Sequence, residues 1–156
     1  MESNKLNVLR QIVEKGFGNA DLHVIDQLIN DNWIEHQVNL KGGKEVLKKA
    51  ILSIKRAFSD RIYTLTNYSV NGDIVWVHYK FSGRHTGPFM GFEPTGKEIV
   101  IDVMDIARIE HDQLVEHWGI PDRFALLTQL GFFPSPAGKT LLEKTNPEGT
   151  LEKKEI

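Results

Sequence analysis

The hydrophobic period of this chain changes once, near Asp60, and that single change constrains the fold more than any motif. Upstream, apolar residues recur at helical spacing; downstream they alternate or run in β-branched stretches, the pattern of strands. Helices followed by a meander of strands predict an α+β fold, with helices covering one face of a curved antiparallel sheet. That arrangement leaves a concave apolar pocket as the natural ligand site.

Leu6, Leu9, Ile12, Val13 and Phe17 mark a first helix, stopped by Gly16 and Gly18. Asp21 is placed to cap a short second helix with Leu22, Ile25, Leu28 and Ile29 on one face, ending near Asn30–Asp31. A third helix follows Gly42–Gly43; Val46, Leu47, Ala50, Ile51, Ile54 and Phe58 form its apolar stripe, and Lys44, Lys48, Lys49 and Lys55 form a solvated face. Strands at Ile62–Val70 and Ile74–Phe81 flank Asn71-Gly72, the strongest short hairpin signal in the chain. Glu98–Ile109 is a long strand, and Leu114–Trp118 returns from it across a polar turn at His111–Gln113. Pro121 and Asp122 start a short helix through Leu130, ended by Gly131. Residues 1–136 are then one domain, and the charged, poorly patterned segment 137–156 is a loosely held tail.

Composition removes several function classes. A chain of 156 residues with 40% hydrophobic side chains fills one core unaided. The net charge of −2 provides no field to hold nucleic acid or an anionic membrane. The absence of cysteine excludes disulfides, thiol nucleophiles and thiolate metal sites. The N-terminal residues lack an apolar signal core, and the longest uncharged stretch, Ala125–Gly138, is too short to span a bilayer, so the expected location is the cytoplasm. Gly91 to Lys97 has P-loop spacing, but Glu98 stands where a Mg²⁺-binding hydroxyl is needed, Pro94 stiffens the loop and a strand follows. Six histidines form no H-x-x-x-H pair, and no G-x-S-x-G elbow occurs. Neither a metal nor a cofactor is expected.

Parity along the long strand points to chemistry. Ile99, Ile101, Val103, Asp105, Ala107 and Ile109 share one face, and Asp105 is the polar exception on it. Across a tight turn Ala107 pairs with His117 and Asp105 with Gly119, which puts Val115, His117 and Gly119 on the same face. Asp105 and His117 are then diagonal neighbours, about 7–8 Å apart at the backbone and within side-chain reach. Two readings stay open: a carboxylate that satisfies a core histidine or backbone amide, or an acid/base pair beside space left by glycine. His85, between Gly83 and Gly87, is either a pocket-rim residue or an exposed loop histidine. Trp33 and His36 are candidates to enter the pocket from behind the second helix, although packing and boundary roles suit them as well. Phe89 and Met90 are candidate pocket walls. Asp122 is a candidate for substrate contact, while its place before a helical run favours an N-cap. Trp118 falls on the opposite face and reads as packing against a helix or a second subunit.

The segments Gly83-Arg84-His85-x-Gly87, Pro94-Thr95-Gly96-Lys97, Arg108 before the turn, Glu116-His117-Trp118 and Gln129-Leu130-Gly131 together resemble the SnoaL-like polyketide cyclases, often described as ester cyclases, within the nuclear-transport-factor-2-like superfamily. The resemblance runs from the first helix to Gly131. It implies a cone-shaped α+β fold with a highly curved antiparallel sheet, an interior pocket for a small hydrophobic molecule, and a homodimer formed through the sheet. It also implies ring closure by intramolecular aldol condensation without cofactor or metal, through an acid beside a histidine. The cyclase acid corresponds to Gly119 here and its neighbouring histidine to Asp105, so both positions depart from the pattern. Two expectations follow. In one, a cofactor-independent enzyme acts on a small hydrophobic carbonyl compound, either as an isomerase by proton abstraction next to the carbonyl or by aldol-type cyclisation; Asp105 and His117 exchange the proton while His85 and His36 orient oxygen atoms and Trp33, Phe89 and Met90 line the pocket. In the other, a dimeric pocket protein has lost the acid at Gly119, gained volume and only binds its ligand.

Overall fold

The computed structural model describes residues 3–38 and 40–133. Helix α1 (Asn4–Gln11) buries Leu6, Val8 and Leu9 and continues into a π-helical segment, Ile12–Gly18. Gly16 lies there against α2 (Leu22–Leu28); a Cβ on it would stand 2.7 Å from Ile25 Cδ1, so any larger residue has to displace the end of the Ile25 side chain. Asp21 caps α2 by accepting from the His23 backbone N–H at 3.1 Å. Helix α3 (Lys44–Ala57) buries Leu47, Ile51 and Ala57, and its terminal neighbour Phe58 already belongs to the next strand.

Five strands form one sheet: β1 (Ile29–Glu35), β2 (Phe58–Asn71), β3 (Ile74–His85), β4 (Glu98–Glu110) and β5 (Gln113–Pro121), in the spatial order β1-β5-β4-β3-β2. The pairings from β2 to β5 are antiparallel, and β1 lies parallel to β5. Helix α4 (Arg123–Leu130) packs near β4 and ends at Gly131, whose φ of 91° fits a left-handed stop. The fold is therefore α+β, with its helices gathered mainly at the N-terminus and a mixed sheet in place of the wholly antiparallel one expected. The reason is β1. Ile29–Asp31, read above as the end of a helix, is extended, and Ile29 pairs with Leu114.

The turn between β4 and β5 is also tighter than expected. His111 and Asp112 both have positive φ, 48° and 60°, as a two-residue primed turn needs. Glu110 faces Gln113 and Ile109 faces Leu114, but Arg108 faces Glu116, which leaves Val115 as an extra residue in a bulge. The bulge restores Ala107 opposite His117 and Asp105 opposite Gly119. Leu114, rather than Val115, joins His117 on the inner face.

One cluster of buried side chains fills the space between the N-terminal helices and the sheet around Leu6, Ile25, Ile51, Tyr79 and Ile109. A second gathers Phe58, Phe81, Ile99, Ile101, Leu126 and Leu130. Between them remains a cavity of about 410 Å³. Residues 137–156, expected to be a loose tail, lie outside the described residues.

Candidate active site

The cavity wall is mostly apolar, drawn from Leu9, Ile12, Phe17, Leu47, Ile54, Phe58, Phe81, Ile101 and Leu126 among others. Its polar members on the sheet side are Glu35 of β1, His117 of β5, Tyr63 of β2 and Asp105 of β4, joined by Gln37 just after β1. Among the described residues the buried polar or charged ones are Glu35, His85 and Asp105, and two of these three meet at His117.

His117 is held at both ring nitrogens. Nδ1 lies 3.0 Å from each oxygen of Glu35, and Nε2 lies 3.3 Å from Asp105 Oδ1. Burial alone would push its pKa down, but the hydrogen bonds and charges of Asp105 and Glu35 outweigh it and raise the value to about 9. At neutral pH the ring is an imidazolium clamped between two carboxylates. Both nitrogens then act as donors, so neither lone pair is open to a metal. Glu35 also accepts from the Gln37 backbone N–H at 2.7 Å, which ties the chain beyond β1 to the same carboxylate.

Gly119 does not open space beside this pair. A Cβ built there would stand 2.8 Å from His117 Cε1, 3.0 Å from Asp105 Oδ1 and closer still to Gln37 Oε1. The Gln37 carboxamide fills the place, so a pocket enlarged by glycine is not what the chain has made. Tyr63 completes the polar side. Burial first and the Asp105 charge second hold its hydroxyl protonated far above the usual phenol range.

The expected site residues separate into two groups. Asp105, His117, Trp33, Phe89 and Met90 all line the cavity. His36, His85 and Asp122 do not, each for a stated reason. Strand alternation sends Trp33 and Glu35 inward and His36 outward, where its ring stacks on Trp118 at 4.6 Å and 3° and its Nε2 meets Glu116 Oε1 at 2.9 Å. His85 ends β3 fully buried between Phe58 and Phe132, away from any rim. Its Nδ1 accepts from the Thr95 N–H at 3.2 Å, and burial lowers its pKa, so the ring is neutral. His85 N and O also bond Lys97 O and Gly96 N at 2.8 Å, closing the base of the loop that carries Phe89 and Met90 to the cavity. Asp122 caps α4, accepting from the Ala125 N–H at 2.8 Å.

Glu35, Gln37, Tyr63 and Arg123 escaped the sequence reading. The signal for Glu35 was the alternation of Trp33 and Glu35 in Asn32-Trp33-Ile34-Glu35, which only a strand makes meaningful. Nothing local marks Gln37, because its role depends on the absence of a side chain at Gly119.

A sheet wrapped by helices around an apolar cavity with a buried carboxylate–imidazole cluster defines a class of small α+β pocket proteins. The match of residues 7–130 to the SnoaL-like polyketide cyclases is specific, and the chain belongs to that family. It is 28% identical over 144 residues to aklanonic acid methyl ester cyclase DauD of Streptomyces sp. strain C5, spanning 87% of this chain and 88% of that protein. Identity to aklanonic acid methyl ester cyclase DnrD of Streptomyces peucetius is 29% over 146 residues, spanning 87% and 97%. Among solved structures, TsrD from Streptomyces laurentii superposes with a TM-score of 0.76 at 24% identity, over 85% of this chain and 99% of that one. IdmH from Streptomyces antibioticus does so with a TM-score of 0.73 at 24% identity, over 83% and 99%. These structures share the fold. Among the described residues no helix is long and apolar enough to cross a membrane.

Proposed function

We propose that this protein closes a ring in a small hydrophobic polyketide-type carbonyl compound by intramolecular aldol chemistry, using its own side chains. The observation that carries this reading is the imidazolium of His117 held between Glu35 and Asp105 on the wall of an apolar cavity of about 410 Å³. That volume lies in the usual range for small-molecule sites. The named relatives act on aklanonic acid methyl ester, which supports a substrate of the same chemical kind.

In the proposed cycle the Asp105 carboxylate takes a proton from the carbon next to one carbonyl. The resulting enolate carbon bonds to a second carbonyl carbon of the same molecule, whose oxygen becomes an alkoxide. The proton returns from Asp105 to that oxygen, so the reaction neither gains nor loses atoms. His117 steadies the Asp105 carboxylate through its Nε2–H and spreads the charge change to Glu35 through Nδ1–H. The protonated Tyr63 hydroxyl is a donor for the developing oxyanion. Burial of all three groups in an apolar wall strengthens each of these interactions.

Asp105→Asn keeps the shape and removes the base. Its expected effect is a fall of about 10²–10⁴ in cyclisation of aklanonic acid methyl ester or a simpler aromatic 1,3-dicarbonyl ester, with ligand affinity changed only a few-fold. Exchange of the substrate's α-hydrogen for solvent deuterium should fall in parallel. Wild-type turnover in a folded Asp105→Asn protein would sink the mechanism.

A further inference from the structure

Arg123 opens α4 and lines the cavity, half-buried, two residues beyond Pro121. Unlike Arg61, Arg84 and Arg108, it makes no hydrogen bond or ion pair among the described residues. Arg108 is held by Glu116 and Glu110, Arg84 by Glu98 and the Gly96 carbonyl, and Arg61 by the carbonyls of Lys55, Phe58 and Gly18. The adjacent Asp122 makes no ion pair with it; its carboxylate accepts from the Ala125 N–H. The guanidinium also stands at the first turn of α4, where the helix end adds positive potential.

We propose that Arg123 is a specificity residue that receives a carboxylate of the ligand, so that the preferred substrate carries a free acid group besides the carbonyls that react. This rests on the cyclase reading above and narrows its substrate class. When an apolar ligand fills the cavity it strips water from the guanidinium, and a charge so stripped needs a hydrogen-bonded partner of opposite sign. The cavity's two carboxylates are both engaged with His117, so the partner must come with the ligand. A guanidinium fork matches a carboxylate with two parallel N–H···O bonds. The sheet register sets the spacing. Asp105 pairs with Gly119 and Val103 with Pro121, so Pro121 lies one strand repeat, about 7 Å, past the reacting carboxylate, and Arg123 follows two residues further on. The acid group therefore sits at one end of the ligand and the reacting carbons nearer the other.

The test uses 9,10-anthraquinone-2-carboxylate and its methyl ester as matched, unreactive probes, with Kd measured calorimetrically for the full chain. Wild type should bind the carboxylate at least tenfold tighter than the ester. Arg123→Gln should bring the two to within about twofold, and Arg123→Lys, which keeps a charge without the fork, should retain part of the preference. Melting temperatures of the unliganded variants establish that each is folded. Equal affinity for both probes in wild type, failure of the carboxylate to bind, or a preference that survives Arg123→Gln would overturn the proposal. Asp105→Asn should keep the preference, so an inactive wild type with the preference intact defeats the cyclase reading and leaves the acid-binding role standing.

Discussion

The side-chain amide of Gln37 occupies the volume that a β-carbon on Gly119 would need, with His117 Cε1 and Asp105 Oδ1 at 2.8 and 3.0 Å from the same point. Gly119→Ala therefore displaces Gln37 and presses on the two residues proposed to move the proton. The expected outcome is a stability loss of about 1 kcal/mol, since the nearest atom ends a flexible side chain. Activity should suffer more, by up to about 10²-fold, because small misplacements of reacting groups are costly. The double variant Gly119→Ala/Gln37→Ala should recover part of the stability, since the contact with His117 Cε1 remains, and a double-mutant cycle by urea denaturation reads the coupling.

Stability should fall as the solution becomes alkaline. Folding raises the His117 pKa from 6.5 to about 9, so the folded state holds this proton more tightly than the unfolded chain does. The clamp's contribution is fully present below pH 6.5 and is lost as pH rises through 9. It amounts to about 3 kcal/mol. Urea melts across that interval, with the imidazole resonance followed by NMR, check both size and direction; a His117 midpoint near 6.5 would remove the clamp.

Glu35→Gln separates the two carboxylates. Replacing one charged acceptor with a neutral one should lower the His117 pKa by about 1 to 3 while leaving the Asp105 contact in place. The high-pH limb of the rate profile should move to lower pH by the same amount. A profile that does not move would mean that Glu35 only packs.

His36→Ala tests the outward assignment. Losing the stack on Trp118 and the bond to Glu116 should cost about 0.5–1.5 kcal/mol. The rate should remain within about twofold of wild type, since the ring lies on the far side of the sheet from the cavity. A larger loss of kcat would return His36 to the reaction.

The outer sheet face exposes Trp76, Val100, Met104 and Ile120, and the register places Met104 opposite Ile120. The homodimer implied by the family resemblance is proposed to cover this strip. Met104→Glu should shift the sedimentation velocity profile from dimer to monomer. A wild-type protein that sediments as a monomer at micromolar concentration would end that proposal.

The inner face of β4 was legible because its alternation is strict and Asp105 interrupts it, and the hairpin at Asn71-Gly72 because turn chemistry is local. His117 was placed opposite Ala107 although the turn was read one residue too long, since the bulge at Val115 compensates. Neither half of that cancellation is visible in sequence. β1 was hidden because Asn30, Asp31 and Asn32 carry weak strand preference, and its partner, β5, lies some eighty residues away. Its loss from the reading cost Glu35 and reversed His36. His85 looked like a loop residue because flanking glycines mark loops, yet Gly83 is held within β3 and Gly87 packs against the Arg56 carbonyl.

The bulge at Val115 stores one residue of slack in β5. Removing that one residue would leave Leu114 opposite Ile109 and Glu116 opposite Arg108 in an unbroken ladder, so His117 would still face the cavity and Trp118 the outer surface. Point substitutions along β5 can grade activity by degrees. A one-residue deletion at Val115 or Glu116 is absorbed by straightening the bulge, whereas a deletion between His117 and Gly119 moves Gly119 from its place opposite Asp105, so tolerance to loss of a residue is expected on one side of His117 and not on the other.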